Sequence, residues 1–375
     1  MKVLVVAPHL QTFIRDQLAA VLPQLDGAEA LVLRSRWSPF DPLSTSVAGS
    51  GRDLRIPVRV HRSVFLAARW PAPLFPWSRA VGTVRKALRR VRFDLVHAHF
   101  LYAAGAVAVR AAQAEGVPCV VTAHGFDVYD LPFRNTAWRR AVTDVLRECA
   151  AVITVSERNA EVLRKLGVER PVRVIPNGFD PDLFHPGDAT EARKGLGLPE
   201  GVPLLVSVGH LTSVKGPDIT LKAVARMRSP VHLAFVGRGP LLPELRALTA
   251  RLGLRDRVRF VGEVPHPRVA EYLRAADLLV IGSRDEGNPA ALVEALACGT
   301  PAVATRVGGI PEVLDAASGV LVEPGDDVAL AEGVGGALET RWDRAAIAAS
   351  TARWAWPVLA REIAAVYADA ARGAS

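Results

Sequence analysis

Two glutamates eight positions apart, Glu286 and Glu294, stand in the stretch RDEGNPAALVEALACG from Arg284 to Gly299. The residues between them suit a helix start: Asn288 as the N-cap, Pro289 at the first helical position, Gly299 as the stop. Glu286 then sits on the loop before the helix. Glu294 sits on its second turn, about 7 Å further along the axis. A helix N-terminus offers free N–H groups and a dipole that favours a phosphate. A carboxylate on either side can accept hydrogen bonds from hydroxyls. A nucleotide-sugar has this layout, a sugar and a ribose flanking a diphosphate. An ordinary capped helix with two solvated glutamates is the competing reading of this segment taken alone.

A second cationic element stands upstream. In VGHLTSVKG, a strand ends at Gly209 and the following loop delivers Lys215 before the next helix. A lysine so placed can neutralise a departing diphosphate. The spacing is not that of a phosphate-binding G-x4-G-K-[ST] loop. In HGFDVY, His124 follows the apolar strand Val120–Ala123 and so stands at a strand's carboxyl end. Asp127 either orients His124, binds a second substrate or caps the next helix. Gly237 and Gly239 in AFVGRGP suit a tight turn. The string Asp180-Pro-Asp182 has the form of a metal-binding Asp-x-Asp, but it lies among prolines, where a turn role fits better.

These residues need a scaffold that brings loops together. Short β-branched runs alternate with helical patterns along the whole chain, which predicts an α/β fold with parallel sheets. Expected strands in the first half are Lys2–Ala7, Ala30–Leu33, Leu95–Ala98, Cys119–Thr122, Val152–Val155 and Arg173–Ile175. In the second half they are Leu204–Val208, His232–Val236, Val258–Val261, Leu278–Ile281, Ala302–Ala304 and Val320–Val322. Six strands a side suffice for two open sheets, and 375 residues suit two domains. Pro, Gly and Asp cluster between Pro176 and Gly187, so the expected domains are 1–180 and 181–355. A final amphipathic helix, 356–375, either caps the second domain or crosses back to the first. Two doubly wound domains facing each other would leave a cleft at the carboxyl ends of their strands.

The net charge of +8 is unevenly spread. Residues 1–180 hold 25 Lys and Arg against 15 Asp and Glu; residues 181–375 hold 21 against 23. Between Asp53 and Asp94 there is no acid and there are ten bases: Arg55, Arg59, Arg62, Arg69, Arg79, Arg85, Lys86, Arg89, Arg90 and Arg92. Trp70, Phe75 and Trp77 are interleaved. Such a stretch suits an anionic phospholipid surface, with Arg85, Arg89 and Arg92 at helical spacing; an Arg-rich solvated face is the alternative. No recognised nucleic-acid motif accompanies it. The N-terminus reads as a first strand rather than a secretory leader, and no long uncharged apolar run is present. The three cysteines, Cys119, Cys149 and Cys298, have no paired spacing. The expectation is a cytoplasmic protein, peripheral on the inner face of the plasma membrane.

Five segments in order, HGFDVY, SERNAEVLRKLG, PNGFDPDLF, VGHLTSVKGPDITLKA and the Glu286–Glu294 block with TPAVATRVGGIPEVL, resemble the family 4 glycosyltransferases. These are retaining enzymes of the GT-B fold, with two Rossmann-like domains. The forms HGFDVY and VGHLTSVKG look closest to the subgroup of teichuronic acid and exopolysaccharide synthesis. The resemblance implies transfer of a hexosyl group from an NDP-sugar, a co-substrate rather than a cofactor, to a glycan or lipid-linked acceptor. It implies no metal. It gives His124 and Glu286 contacts to the transferred sugar, Lys215 and the N–H groups of Gly287 and Asn288 the diphosphate, and Glu294 the ribose. Gly209 and His210 flank the diphosphate, and Gly237 admits the base. The family usually carries an arginine where His210 stands. It often carries paired glycines after the first strand, where this chain has APHLQTFIRDQ. An NAD-linked oxidoreductase would need G-x-G-x-x-G in that glycine-free loop. A non-catalytic scaffold of the same fold would be expected to have lost Lys215, Glu286 or Glu294.

Overall fold

A computed structural model describes residues 1–35, 56–63 and 78–373. Arg55, Arg69, Trp70, Phe75 and Trp77 of the basic stretch lie outside them, as does the side chain of Arg62. The chain forms two compact units. One runs to Pro176 and resumes at Trp356; the other is Asn177–Ala355.

The first unit is built on seven parallel strands: β1 (Lys2–Ala7), β2 (Gly27–Ser35), β3 (Val58–Ser63), β4 (Leu95–His99), β5 (Cys119–Ala123), β6 (Ala151–Thr154) and β7 (Val172–Val174). Their order is β3-β2-β1-β4-β5-β6-β7. β1, β4, β5 and β6 are almost wholly buried, as strands covered by helices on both faces must be, and mostly apolar, β4 carrying the two histidines His97 and His99. β3 is the strand that the sequence pattern did not predict. Its residues, VRVHRS, carry arginines and a histidine on an edge, where one side of the ladder is open and charge is tolerated. Arg59 on this strand lies near Glu29 of β2.

The second unit carries β8 (Leu204–Val208), β9 (His232–Val236), β10 (Val258–Gly262), β11 (Leu278–Ile281), β12 (Ala302–Thr305) and β13 (Gly319–Val322) in the order β10-β9-β8-β11-β12-β13, again all parallel. In both sheets the strand order reverses once, at β1/β4 and at β8/β11. The loops leaving those neighbouring strands run off in opposite directions and leave a crevice at their carboxyl ends.

The last helix, Trp356–Arg372, packs on the first sheet. Trp356, Leu359, Ile363, Val366 and Tyr367 share one face by their spacing and cluster with Val3, Val5, Leu95, Val120 and Ile153. Its Tyr367 carries a phenol into this apolar layer, and the hydroxyl is met there by Nδ1 of His97 at 2.6 Å. Nε2 of His97 in turn bonds Thr122 at 2.7 Å. His99, two residues on and so on the same strand face, lies with its ring tilted against that of His97, centroids 4.3 Å apart, and bonds His124 at 3.0 Å.

Burial holds these three rings neutral. It lowers the pKa of His97 and of His124 from 6.5 to about 3, and that of His99 well below 6.5. Unfolding restores the ordinary value, so the sign of the pH effect follows. Above pH 6.5 neither state binds these protons and stability is fully present. Below it the unfolded chain takes up protons that the folded chain refuses. Stability should therefore fall as pH drops from 6.5 toward 3, by at most about 1.4 kcal/mol per pH unit for each histidine. Urea midpoints measured from pH 7 to pH 5 check this; a flat profile would contradict it.

Candidate functional site

The reversal at β8/β11 places two loops side by side. Leaving β8, the chain turns at Gly209, whose φ of 143° suits glycine. It then makes a short 3-10 turn, Ser213–Lys215, and enters the helix Pro217–Arg226 after Gly216. A side chain on Gly216 would put its Cβ 1.9 Å from the carbonyl oxygen of Gly282, which begins the loop after β11. The two loops are strapped together. Arg284 donates its backbone N–H to Val214 at 2.7 Å and reaches both oxygens of Asp218 at 3.0 and 2.8 Å.

Lys215 and Glu286 meet in this arrangement. Nζ of Lys215 lies 2.7 Å from each carboxylate oxygen of Glu286. Glu286 is 5% exposed, so its charge needs partners. Besides the lysine it has Ser283, whose hydroxyl donates to Oε1 at 2.7 Å. Ser283 is fixed in turn by Thr305, which donates to its carbonyl at 2.6 Å. Behind Glu286 the chain segment after β12 closes in. Gly308, with φ of 57°, passes so near that a Cβ would fall 1.7 Å from the Glu286 carbonyl oxygen. Gly309 donates its N–H to Gly287. This close approach is the role of the glycine pair in TPAVATRVGGIPEVL.

The helix expected after Asn288 starts one residue later than predicted. It spans Ala290–Ala297, with Pro289 as N-cap and no side-chain cap. Asn288 is engaged elsewhere: its Oδ1 accepts from the N–H of Asn177, and its carbonyl accepts from Asn177 Nδ2 at 2.7 Å. The amide that would have capped the helix instead ties it to the PNGFDPDLF segment. Asp180 in that segment accepts the N–H of Asp182, an aspartate-closed turn.

Glu294, on the same helix, is 7% exposed and bonded to Nε2 of His266 at 2.9 Å. Gly237, with φ of 143°, crosses Gly209 closely enough that a Cβ would fall 2.0 Å from the Gly209 carbonyl oxygen. A packing constraint therefore already requires glycine there. His210 reaches solvent, yet the surrounding protein and then the charge of Lys215 both lower its pKa. Glu263 pulls the other way without offsetting them, so His210 is held toward its neutral form. It is no standing substitute for an arginine.

In the first unit, His124 follows β5 as expected. Its ring lies against Phe13, 4.9 Å away, and Phe100, 4.6 Å away. Phe13 lies in the first turn of the helix Thr12–Val21 that follows β1, and Phe100 in the loop after β4, the two strands of that sheet's reversal. With Nε2 bonded to His99, Nδ1 of His124 is buried and has no hydrogen-bond partner among the described residues. Asp127 does not touch the imidazole. Its carboxylate accepts the backbone N–H groups of Leu101, His124 and Gly125. It fixes the turn that carries His124.

The basic helix Ser78–Arg90 holds part of the predicted lipid-facing cluster. Arg85 and Arg89 both grip Glu115, at 2.7 and 2.9 Å, and Arg90 reaches Glu29. Arg85 and Arg89 are thus partnered within the protein, while Arg79, Lys86 and Arg92 are exposed. Among the described residues no helix is long and apolar enough to cross a membrane.

His266, Ser283 and Gly308 were not singled out from the sequence. Each acts on a glutamate from a distant segment, and no local spacing announces it.

Two family models match the chain. "Glycosyltransferase Family 4" covers residues 17–183 and "Glycosyl transferases group 1" covers residues 188–354. A D-inositol 3-phosphate glycosyltransferase of Acidothermus cellulolyticus is 35% identical over 309 residues, 74% of this chain and 67% of its own. The putative teichuronic acid biosynthesis glycosyltransferase TuaC of Bacillus subtilis is 31% identical over 75% of this chain and 72% of its own. Among solved structures, Anabaena Alr3699/HepE in complex with UDP-glucose superposes with a TM-score of 0.80 at 23% identity, over 97% of this chain and 98% of that one. Sucrose-phosphate synthase of Thermosynechococcus elongatus gives 0.75 at 23% identity, over 98% of each. With both halves matched and relatives above 30% identity along most of their length, the chain belongs to the family 4 glycosyltransferases, of the two-sheet GT-B fold.

Proposed function

We propose that this protein transfers a hexosyl group, with retention, from a nucleoside diphosphate sugar to a hydroxyl of a glycan or lipid-linked acceptor. The Lys215–Glu286 pair at the β8/β11 reversal, beside the start of the Ala290–Ala297 helix, carries this reading. It joins a cation, a hydroxyl-accepting carboxylate and a helix N-terminus in one crevice. The donor's diphosphate takes Lys215 and the N–H groups at Gly287 and Asn288. It competes with Glu286 for the lysine, and Glu286 then turns to hydroxyls of the sugar. Glu294 takes the ribose. The unpartnered Nδ1 of His124 serves the transferred sugar.

The chemistry needs little covalent help from the protein. The bond from the anomeric carbon to the phosphate oxygen breaks. The acceptor oxygen bonds that carbon on the same face, and its proton passes to the departing diphosphate oxygen. Catalysis is positioning and stabilisation of the leaving charge. Diphosphate beside His210 raises that imidazole's pKa and recruits it as a second cation. The HepE neighbour was solved with UDP and with UDP-glucose, which favours a nucleotide-sugar donor. The name of TuaC favours a cell-surface polysaccharide acceptor. Anionic phospholipid is the further partner proposed for the first unit, through Arg79, Lys86 and Arg92.

Lys215→Ala should lower turnover on the order of 10²-fold, as when other charge-stabilising groups are lost. Because Lys215→Ala leaves the buried Glu286 carboxylate with Ser283 as its side-chain partner, it should also cost stability, about 1–3 kcal/mol, read separately from the rate by urea denaturation. Glu286→Gln should be similarly slow with the fold intact. Transfer rates near wild type for both, measured on a folded protein, would overturn the assignment.

Activity should persist in excess EDTA. Loss of transfer in EDTA with recovery in Mg²⁺ or Mn²⁺ would show that the lysine and helix do not suffice for the leaving group.

Sedimentation with vesicles should show binding that requires anionic lipid and weakens with salt. It should drop when Arg79, Lys86 and Arg92 become Ser together. Equal binding to neutral and anionic vesicles, or none to either, would remove the membrane from the proposal.

A further inference from the structure

His266 opens the helix His266–Ala275 and stands between Pro265 and Pro267. The two proline rings fix φ on either side of it, so its backbone has little freedom. The edge of its ring meets Phe184, which is buried, at a centroid distance of 4.7 Å and 62°. The imidazole is thereby aimed one way. Nε2 lies 2.9 Å from Oε1 of Glu294, and both side chains are about nine-tenths buried. A carboxylate only accepts, so Nε2 carries the hydrogen and donates. This is the one hydrogen bond to the Glu294 side chain among the described residues; Oε2 has none.

A glutamate has three rotatable bonds and loses that freedom when it binds a ligand. With Oε1 held, the Glu294 carboxylate has a set plane and presents Oε2 in a set direction. We infer that His266 is a positioning residue for Glu294, holding its carboxylate in the orientation that receives the vicinal diol of the donor's ribose. The inference rests on the proposed role of Glu294 and adds what that role needs, a fixed acceptor. Phe184 is the wall that keeps the imidazole in place. It belongs to the PNGFDPDLF segment, which Asn177 ties to Asn288, just ahead of the Ala290–Ala297 helix that carries Glu294.

The test compares ligands with and without the diol. Whichever of UDP, GDP and ADP stabilises the wild-type protein most by thermal shift is titrated calorimetrically, beside its 2′,3′-dideoxy counterpart. The wild type should bind the ribonucleotide about tenfold more tightly, the scale of a hydrogen bond to a charged group. H266F keeps an aromatic ring on Phe184 and removes the donor. It should weaken the ribonucleotide by about tenfold and the dideoxynucleotide hardly at all, so that the preference for the diol collapses. E294Q should collapse it too. H266Q, whose amide can donate from a similar place, should restore most of the preference. A merely structural histidine would weaken both ligands alike.

If H266F keeps the full preference for the diol while E294Q loses it, the inference is overturned and the ribose role of Glu294 stands. If the wild type has no preference, or none of the three nucleotides binds, the proposed donor site fails and the inference fails with it. Melting curves accompany each variant. H266M, with a flexible apolar filler, replaces H266F in the comparison if phenylalanine upsets folding.

Discussion

A carboxylate shut away from water has to be compensated, and Glu286 is one. Much of the second unit's upper surface follows from that requirement. Lys215 must arrive from the neighbouring loop, and Ser283 must turn its hydroxyl inward. Neither can do so unless the backbones of three loops come almost into contact. Gly216 against Gly282 and Gly308 against Glu286 are the points where they do. Arg284 and Asp218 then strap the loops from outside. The reversal of strand order at β8/β11 makes such a meeting possible, because elsewhere in the sheet consecutive loops run to the same side.

The first unit solves a different problem at its own reversal. Four polar side chains, His97, His99, Thr122 and Tyr367, lie in or beside an otherwise apolar layer. They are compensated by one another and kept neutral by burial, with no ion pair. The phenol comes from the far end of the chain, on a helix whose apolar face covers the sheet. The chain of bonds from Tyr367 to His97, and the contact of the His97 and His99 rings, lead up to His124. One ring nitrogen of His124 is left over, the kind of unmet need that a ligand fills. Asp127 supports that histidine only through the backbone.

Gly209 and Gly237 show a fold requirement acting on residues proposed for the ligand. Each is placed beside the other by the sheet, and a side chain on Gly237 would collide with main chain. The arginines of the Ser78–Arg90 helix show the converse. Read as a list they form one cationic face; folded, two of them close on Glu115 and one on Glu29.

The sequence by itself determined what is local and periodic. Apolar runs of four to six residues separated by helical patterns specify buried parallel strands. The cluster of Pro, Gly and Asp after Ile175 marks the change of unit. Lys215, Glu286, Glu294 and His124 stand at strand ends and on a helix turn because strand and helix periods place them there. Tertiary structure alone decided which distant residues complete them. His266 for Glu294, Ser283 and Gly308 for Glu286, His99 for His124 and Asn177 for Asn288 are contacts made across the fold. Asn288 is the instructive case, since its local preference for capping yielded to two hydrogen bonds with a residue 111 positions away. The β3 edge strand was hidden for the same reason. Its charged residues read as loop until the neighbouring strand supplies a backbone ladder and, for Arg59, the charge of Glu29. Local propensity is worth fractions of a kcal/mol per residue, whereas an unmet buried charge or amide costs several times that, so the tertiary partner wins.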